Sequence, residues 1–387
     1  MLKNCSVFLL YIYIYSTFLF PSWWINKAVF TILLFNTLVI FKAYFKKYII
    51  VLNPFIIQVL FLYGYIISNF SNCNMIYSLQ TVLAPLNLFL IYLILFFSID
   101  LSCMIRRVGL VLSICVLSVY LISFINESFY NILVLVLRQY MGGAVGASSR
   151  DYLSGDGDMG NIVTFSLPGS YHLFLPLILY WNKYLECHNL KTFICFLLIL
   201  STVIISGARG QWVISLFLLY FTYYSLASKK NKILSTTYVS LIVIFLLYYL
   251  FEYTIFFDSQ EGSNSIKINK VISFYKNLDW LQILIGNGLG SYYHVENFGI
   301  AYHTELTLLD QIRYLGLINV LIYVTALVVP ISIPLLNRWR LRPIIVCLCF
   351  LIYSFTNPVL INSLGHLVVL WCWSKLFDYE KNDMLKI

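Results

Sequence analysis

The sequence predicts an all-α, polytopic membrane protein of about 12 transmembrane helices, and three observations predict it. Of 387 residues, 61% are hydrophobic and only 11% charged, with a mean hydropathy of +0.85; soluble domains carry about 25% charged residues. The apolar residues fall in runs near the ~20 that a helix needs to cross a hydrocarbon core. Basic residues stand between these runs in twos and threes. The net charge of +9 therefore reads as the bias of cytoplasmic loops toward Lys and Arg, and no nucleic-acid partner is expected.

Taken in order, the candidate spans are 5–22, 27–41, 48–67, 77–98, 108–126, 161–182, 192–207, 211–228, 233–251, 314–336, 343–356 and 359–377. The first follows a single Lys but lacks a small-residue cleavage site and runs into bulky Pro21-Ser22-Trp23-Trp24, so it reads as an uncleaved helix. The uncharged stretch between Lys47 and Asp100 is too long for one helix, and its polar break at 68–74 makes it two. With the N-terminus inside, 17 of the 25 basic residues fall on the cytoplasmic side. Thirty-two residues from Pro343 to Ser374 are tight for two spans, so one kinked helix there is an alternative.

The chain reads as a single transmembrane helical domain, 1–387, with two long periplasmic loops. The first, 126–161, includes an interfacial apolar segment, Phe129–Leu137; the second covers 252–313. Long polar loops on a packed scaffold usually carry function. Nine Cys, mostly inside apolar runs, form neither a disulfide framework nor a zinc pattern, and Cys347-x-Cys349 reads as packing. No metal and no cofactor is expected, and no Walker A sequence is present.

Chemistry concentrates in the stretch Gly286–Gly316, which places two His, three acids and one Arg within 31 residues. Its GNGLG segment (Gly286 to Gly290) offers backbone N–H groups that suit an anion, with Gly288 and Gly290 as binding positions. His303 is the candidate base, because its pKa lies near working pH, with Glu305 second and His294 a weaker candidate. A helix starting near Tyr302 puts His303, Thr307 and Asp310 on one face. Arg313 either binds anion or simply pairs with Asp310 at i, i+3.

Arg209 sits in the short turn SGARGQ (206–211) between two spans, where a guanidinium matches phosphate oxygens in bidentate geometry. The bland reading is a helix-end anchor. Arg150, among small residues, is a second anion candidate, and Arg138 reads as a snorkelling anchor. Asp156-Gly-Asp158 reads first as solvated loop, His366 as a packing residue, and His172 as a cavity-facing group.

The order of these motifs resembles the O-antigen polymerase (Wzy) and O-antigen ligase (WaaL) superfamily of bacterial surface-polysaccharide enzymes. In that group a small-small-Arg-Gly turn starts a helix, as SGARG does at 206–210. A G-x-G segment then precedes an H-x-x-L…L…G-L-x-x-x-x-x-Y element, which His303, Leu306, Leu309, Gly316, Leu317 and Tyr323 fit. The resemblance implies a metal-independent glycosyltransferase in the bacterial inner membrane, with its active site facing the periplasm. Its implied substrate is an oligosaccharide on undecaprenyl pyrophosphate, with room for a chain-length regulator protein as partner. Arg209, Arg150 and Arg313 would then steady the leaving pyrophosphate, and His303 or Glu305 would receive the acceptor proton. Composition rich in Phe, Tyr, Ile and Asn favours polymerase over ligase. A flippase of lipid-linked sugars is the alternative outside the enzymes, but charge concentrated in two loops and the lack of a visible repeat disfavour it.

Overall fold

The computed structural model describes residues 2–21, 24–48, 52–71, 73–141, 145–151, 161–226, 262–276, 279–295, 299–302, 304, 306–328, 341–354, 357 and 359–384, and twelve positions between 231 and 248. The protein is built of helices with two small antiparallel ribbons. Among the described residues, three helical stretches are long and apolar enough to cross a membrane, namely Trp24–Lys42, Met75–Phe97 and Leu101–Ile125, and five shorter apolar helices accompany them. Large apolar side chains such as Phe35, Val59, Leu62 and Ile66 stand exposed along them. That pattern is costly in water and natural in lipid, so this is an α-helical membrane protein.

The chain forms two compact units, Met1–Val108 with Val271–Ile387, and Gly109–Lys270. The first unit begins with α1 (Leu2–Leu19), α2 (Trp24–Tyr48) and α3 (Asn53–Ser68). The expected span 77–98 is broken, as α4 (Met75–Leu83), a 3₁₀ turn (Ala84–Phe89) and α5 (Leu90–Phe97). Pro85 is the cause, since it cannot donate its missing N–H to the preceding turn. The turn is polar inside: buried Asn87 accepts from Tyr13 Oη, and fully buried His366 packs near Ala84. After α6 (Leu101–Ile125) leaves this unit, the chain returns with α11 (Gly262–Lys276) and α12 (Trp280–Ile285), numbered after the intervening α7 to α10. The ribbon β3–β4 (Tyr293–Val295 and Gly299–Ala301), α13 (Thr307–Leu315) and α14 (Leu317–Val328) follow.

The expected span 314–336 thus starts seven residues early and breaks at Gly316. Two side chains close the far end of α14: Asn53 Nδ2 donates to Ala326 O at 2.6 Å, and Trp373 Nε1 to Leu327 O at 2.9 Å. Helix-end carbonyls in a bilayer need such partners. The C-terminal region resolves into two helices, α15 (Leu341–Ser354) and α16 (Ser363–Met384). Cys372 Sγ of α16 lies 3.3 Å from Pro343 O of α15, so the two run antiparallel. Cys347 and Cys349 are buried in α15. Lys375 pairs with Asp100 at 3.6 Å, joining two groups that the charge pattern assigns to the same side.

In the second unit, the segment expected as the first loop carries α7 (Glu127–Met141) and strand β1 (Gly146–Asp151). Asn126 Oδ1 caps α7 by accepting from Phe129 N at 2.9 Å. Phe129, Ile132 and Leu135 of α7 are exposed while Tyr130 and Val134 are buried, as suits an interfacial helix. The span expected over 161–182 is corrected. Residues Asn161–Ser166 form strand β2, paired with β1 from Gly146↔Ser166 to Asp151↔Asn161, and helix α8 runs over Phe174–Cys187. Phe165 is buried against Tyr130, and Pro168 with Gly169 separates strand from helix. Helices α9 (Leu190–Ile205) and α10 (Arg209–Leu226) follow, and the unit continues to Lys270, within α11.

Candidate functional site

The Gly286–Gly316 stretch folds around two buried charges. Asp310 is 3% exposed and Arg313 2%. Both carboxylate oxygens of Asp310 accept from Thr304 N, at 2.9 and 3.1 Å, and Oδ1 also lies 3.3 Å from Arg313 Nη2. Arg313 Nη2 donates to Tyr302 O as well, and Tyr314 Oη reaches the same carbonyl at 2.6 Å. The guanidinium carbon sits 4.8 Å from the ring centres of both Tyr293 and Tyr314. The carboxylate, through Nη2, and the two aromatic rings offset the buried charge, while Nε and Nη1 have no hydrogen-bond partner among the described residues. The effect of the pair is local: Tyr302 O and Thr304 N, on either side of His303 in the chain, are both held in place.

His303 and Glu305 themselves lie outside the described residues. The helix begins at Thr307 and not near Tyr302, so the expected helical face shared with His303 does not form, although Thr307 and Asp310 do share one. His294 is exposed on β3, opposite Ile300.

Packing accounts for the glycines of the GNGLG segment. A Cβ on Gly288 would fall 2.6 Å from Ser68 N, and one on Gly290 2.6 Å from Asn74 O, with φ of +87° and +75°. Only glycine permits this approach and this backbone. Leu289 N donates to Gly64 O at 3.0 Å and Asn287 N to Arg313 O at 2.6 Å, while Gly290 O accepts from Asn74 N. Ser68 Oγ lies 2.7 Å from Leu289 O and accepts from Ser78 Oγ at 3.0 Å. Asn74 also caps α4 by accepting from Tyr77 N at 3.1 Å. The segment is stitched to the α3–α4 junction, and the N–H groups of Asn287 and Leu289 are taken up by backbone carbonyls.

The inner face of α13 lines a cavity of about 210 Å³ together with α4. Thr307, Asp310, Gln311 and Tyr314 come from α13, at helical spacing, and Tyr77 and Thr81 face them. Gln311 was not singled out in the sequence. The signal was available, because i, i+3, i+4 and i+7 from Thr307 are all polar or phenolic in an otherwise apolar neighbourhood.

In the other unit, Arg209 is the first residue of α10 and is half-buried. Its turn is pinned from within. Buried Gln211 donates from Nε2 to Ser170 O at 2.8 Å and its Oε1 accepts from Ser206 Oγ at 3.2 Å. Trp212 Nε1 donates to Val203 O at 2.8 Å. Gly207 adopts φ +67°, and a Cβ there would fall 2.8 Å from Thr164 Cγ2 of β2. A helix N-terminus carries positive partial charge, so the Arg209 position is doubly favourable to anions.

Arg150 lies in β1, opposite Ile162. Arg138, read from sequence as a snorkelling anchor, donates from Nε to Val145 O at 3.2 Å and ties the end of α7 to the residue before β1. His172 is buried. Asp156 and Asp158 lie outside the described residues.

The sequence is similar to an O-antigen polymerase from Shigella flexneri, 28% identical over 202 residues, which is 50% of this chain. The chain covers 47% of that protein's length, so it spans about half of the curated relative it matches. No family model matches the chain, and no solved structure does.

Proposed function

We propose that this protein is a surface-polysaccharide polymerase of the O-antigen type, a membrane glycosyltransferase. The similarity to the Shigella flexneri O-antigen polymerase carries the reading. An Arg held at a helix N-terminus by a buried hydrogen-bonded turn supports it. In this proposal the donor is a glycan on undecaprenyl pyrophosphate and the acceptor is a new repeat unit on the same lipid, both on the periplasmic side of the inner membrane.

The reaction makes one bond and breaks one. The acceptor hydroxyl oxygen attacks the anomeric carbon of the donor glycan, and the bond from that carbon to the pyrophosphate oxygen breaks. The hydroxyl proton passes to His303, with Glu305 as the second candidate, and the lipid pyrophosphate leaves with an extra negative charge. Arg209, joined by Arg150, steadies that charge, which needs no metal. Arg313 has a different part in this reading. Its charge is committed to Asp310, Tyr302 O and two tyrosine rings, which supports a positioning role for the segment around His303. Gly288 and Gly290 likewise hold that segment against α3 and α4.

The test supplies the purified protein with a lipid-pyrophosphate-linked repeat unit, without metal or nucleotide, and reads products on a gel. A ladder is expected. Transfer only after addition of a lipid A core acceptor would make the protein a ligase. Movement of the lipid across vesicles with no transfer to any acceptor would overturn the enzyme reading.

A further inference from the structure

We infer that the cavity between α4 and α13 is a subsite for a neutral saccharide unit, read by the carboxamide of Gln311. The choice of a sugar as ligand rests on the polysaccharide reading above, but the site is argued from its own chemistry.

Gln311 is 0% exposed, and neither Nε2 nor Oε1 has a hydrogen-bond partner among the described residues. An amide buried without partners is costly, and such groups in folded proteins nearly always have a ligand, water or protein partner. The cavity that Gln311 lines, at about 210 Å³, is well above the ~30 Å³ that one water occupies in the liquid. It is the size of a group rather than of a single solvent molecule.

The rest of the lining narrows the ligand. Among the described residues no Lys or Arg lines the cavity, and the one charged group there is the Asp310 carboxylate, already engaged by Thr304 N and Arg313. A phosphate or other anion would meet no cation there and would be repelled. Tyr77 and Tyr314 line the cavity, and aromatic rings suit the C–H face of a pyranose; Gln80, Thr81, Ala84 and Ile361 also line it. Thr307 Oγ1 donates to Asn357 O at 3.1 Å, so its oxygen is left as an acceptor. A primary carboxamide presents one donor and one acceptor side by side. Its complement is a sugar's acetamido group or a pair of adjacent hydroxyls. Sites that hydrogen-bond a specific polar group discriminate strongly against ligands that lack it. On this view the cavity contributes to which repeat unit the protein accepts.

The test uses the full-length protein in detergent, with N-acetylglucosamine and glucose as probes, and compares wild type with Gln311→Leu and Gln311→Glu. Saturation-transfer NMR reads binding, and thermal melting reads the fold. Gln311→Leu fills the same space and removes an unpaired buried amide, so its melting temperature should be no lower than wild type. Binding of at least one sugar to wild type, weakened ten-fold or more in Gln311→Leu, is expected. Gln311→Glu, which keeps the shape and loses the amide donor, should weaken the acetamido probe more than the other, and it also reads the site should the Leu variant fail to fold. In the transfer assay the same variants should raise KM ten-fold with kcat nearly unchanged.

Equal sugar binding in wild type and both variants, or no sugar binding by wild type, would overturn the subsite while leaving the polymerase reading to its own ladder assay. Sugar binding that depends on Gln311 in a protein that makes no ladder would keep the subsite and sink the polymerase reading instead.

Discussion

Two arginines, Arg209 and Arg313, look alike in the sequence, since each stands beside a glycine-containing turn at the head of an apolar helix. Their surroundings differ in kind. Arg313 is 2% exposed, shares its charge with Asp310, and lies between the rings of Tyr293 and Tyr314. Arg209 is half-buried at the start of α10, on a turn whose rigidity comes from Gln211, Trp212 and Gly207. A buried, paired cation organises protein; a cation on a rigid turn and open to solvent on one side can meet a substrate anion without rearrangement. The difference teaches that depth of burial, more than sequence context, separates a structural arginine from one suited to chemistry.

Variants at the two positions should therefore fail in opposite ways. Arg313→Ala leaves the Asp310 carboxylate buried and uncompensated, which should cost about 3–5 kcal/mol. A thermal melt in detergent would show it as a large drop or as loss of folded protein. Arg209→Ala, at a half-buried position, should cost less, about 1 kcal/mol, as a typical point substitution does. It should nevertheless lose transfer by about 10²–10³-fold, the effect of removing a group that stabilises developing negative charge. An Arg313→Ala variant that melts like wild type would remove the contrast at its root.

Smaller effects sharpen the same comparison by acting on the supports rather than on the arginines. Gly288→Ala and Gly290→Ala force a Cβ within 2.6 Å of backbone atoms at positive φ. Each should destabilise by more than about 1 kcal/mol, read by denaturation, because the left-handed conformation alone disfavours Ala by that order. Gln211→Ala removes two buried hydrogen bonds, to Ser170 O and from Ser206 Oγ, and at about 0.5–1.5 kcal/mol each should cost about 1–3 kcal/mol. It should also lower transfer, because the turn that holds Arg209 loosens. Arg138→Ala, which removes one hydrogen bond to Val145 O, should cost only about 0.5–1.5 kcal/mol by the same melt and leave transfer unchanged.

The membrane class was legible because lipid imposes one requirement, apolar helices, that composition reports directly. Where the readings of sequence and structure part, a local competitor explains each difference. Residues Asn161–Ser166 form a short apolar run that suits strand or helix equally, and pairing with Gly146–Asp151 decided it. Pro85 was visible, but sequence alone does not say whether a proline kinks a helix or turns it into 3₁₀.

The Asp310–Arg313 pair was legible as an i, i+3 spacing, and the structure adds that it holds the chain on either side of His303. The glycines of GNGLG were read for their freedom, whereas their small size against Ser68 and Asn74 is what the fold uses. Gln311 carries no charge and so stands out less in the sequence than Asp310, although its helical spacing from Thr307 is visible there; the cavity beside it marks it out.

The central claim is that Arg209 meets the leaving pyrophosphate while Arg313 serves the fold. Its most direct test is the transfer rate of Arg209→Lys beside that of Arg209→Ala, in protein shown by melting to be folded. A lysine keeps the charge but loses the bidentate fork, so the account predicts an intermediate rate, below wild type and above Ala, with the melting temperature unchanged. Wild-type transfer rates in both variants would contradict it.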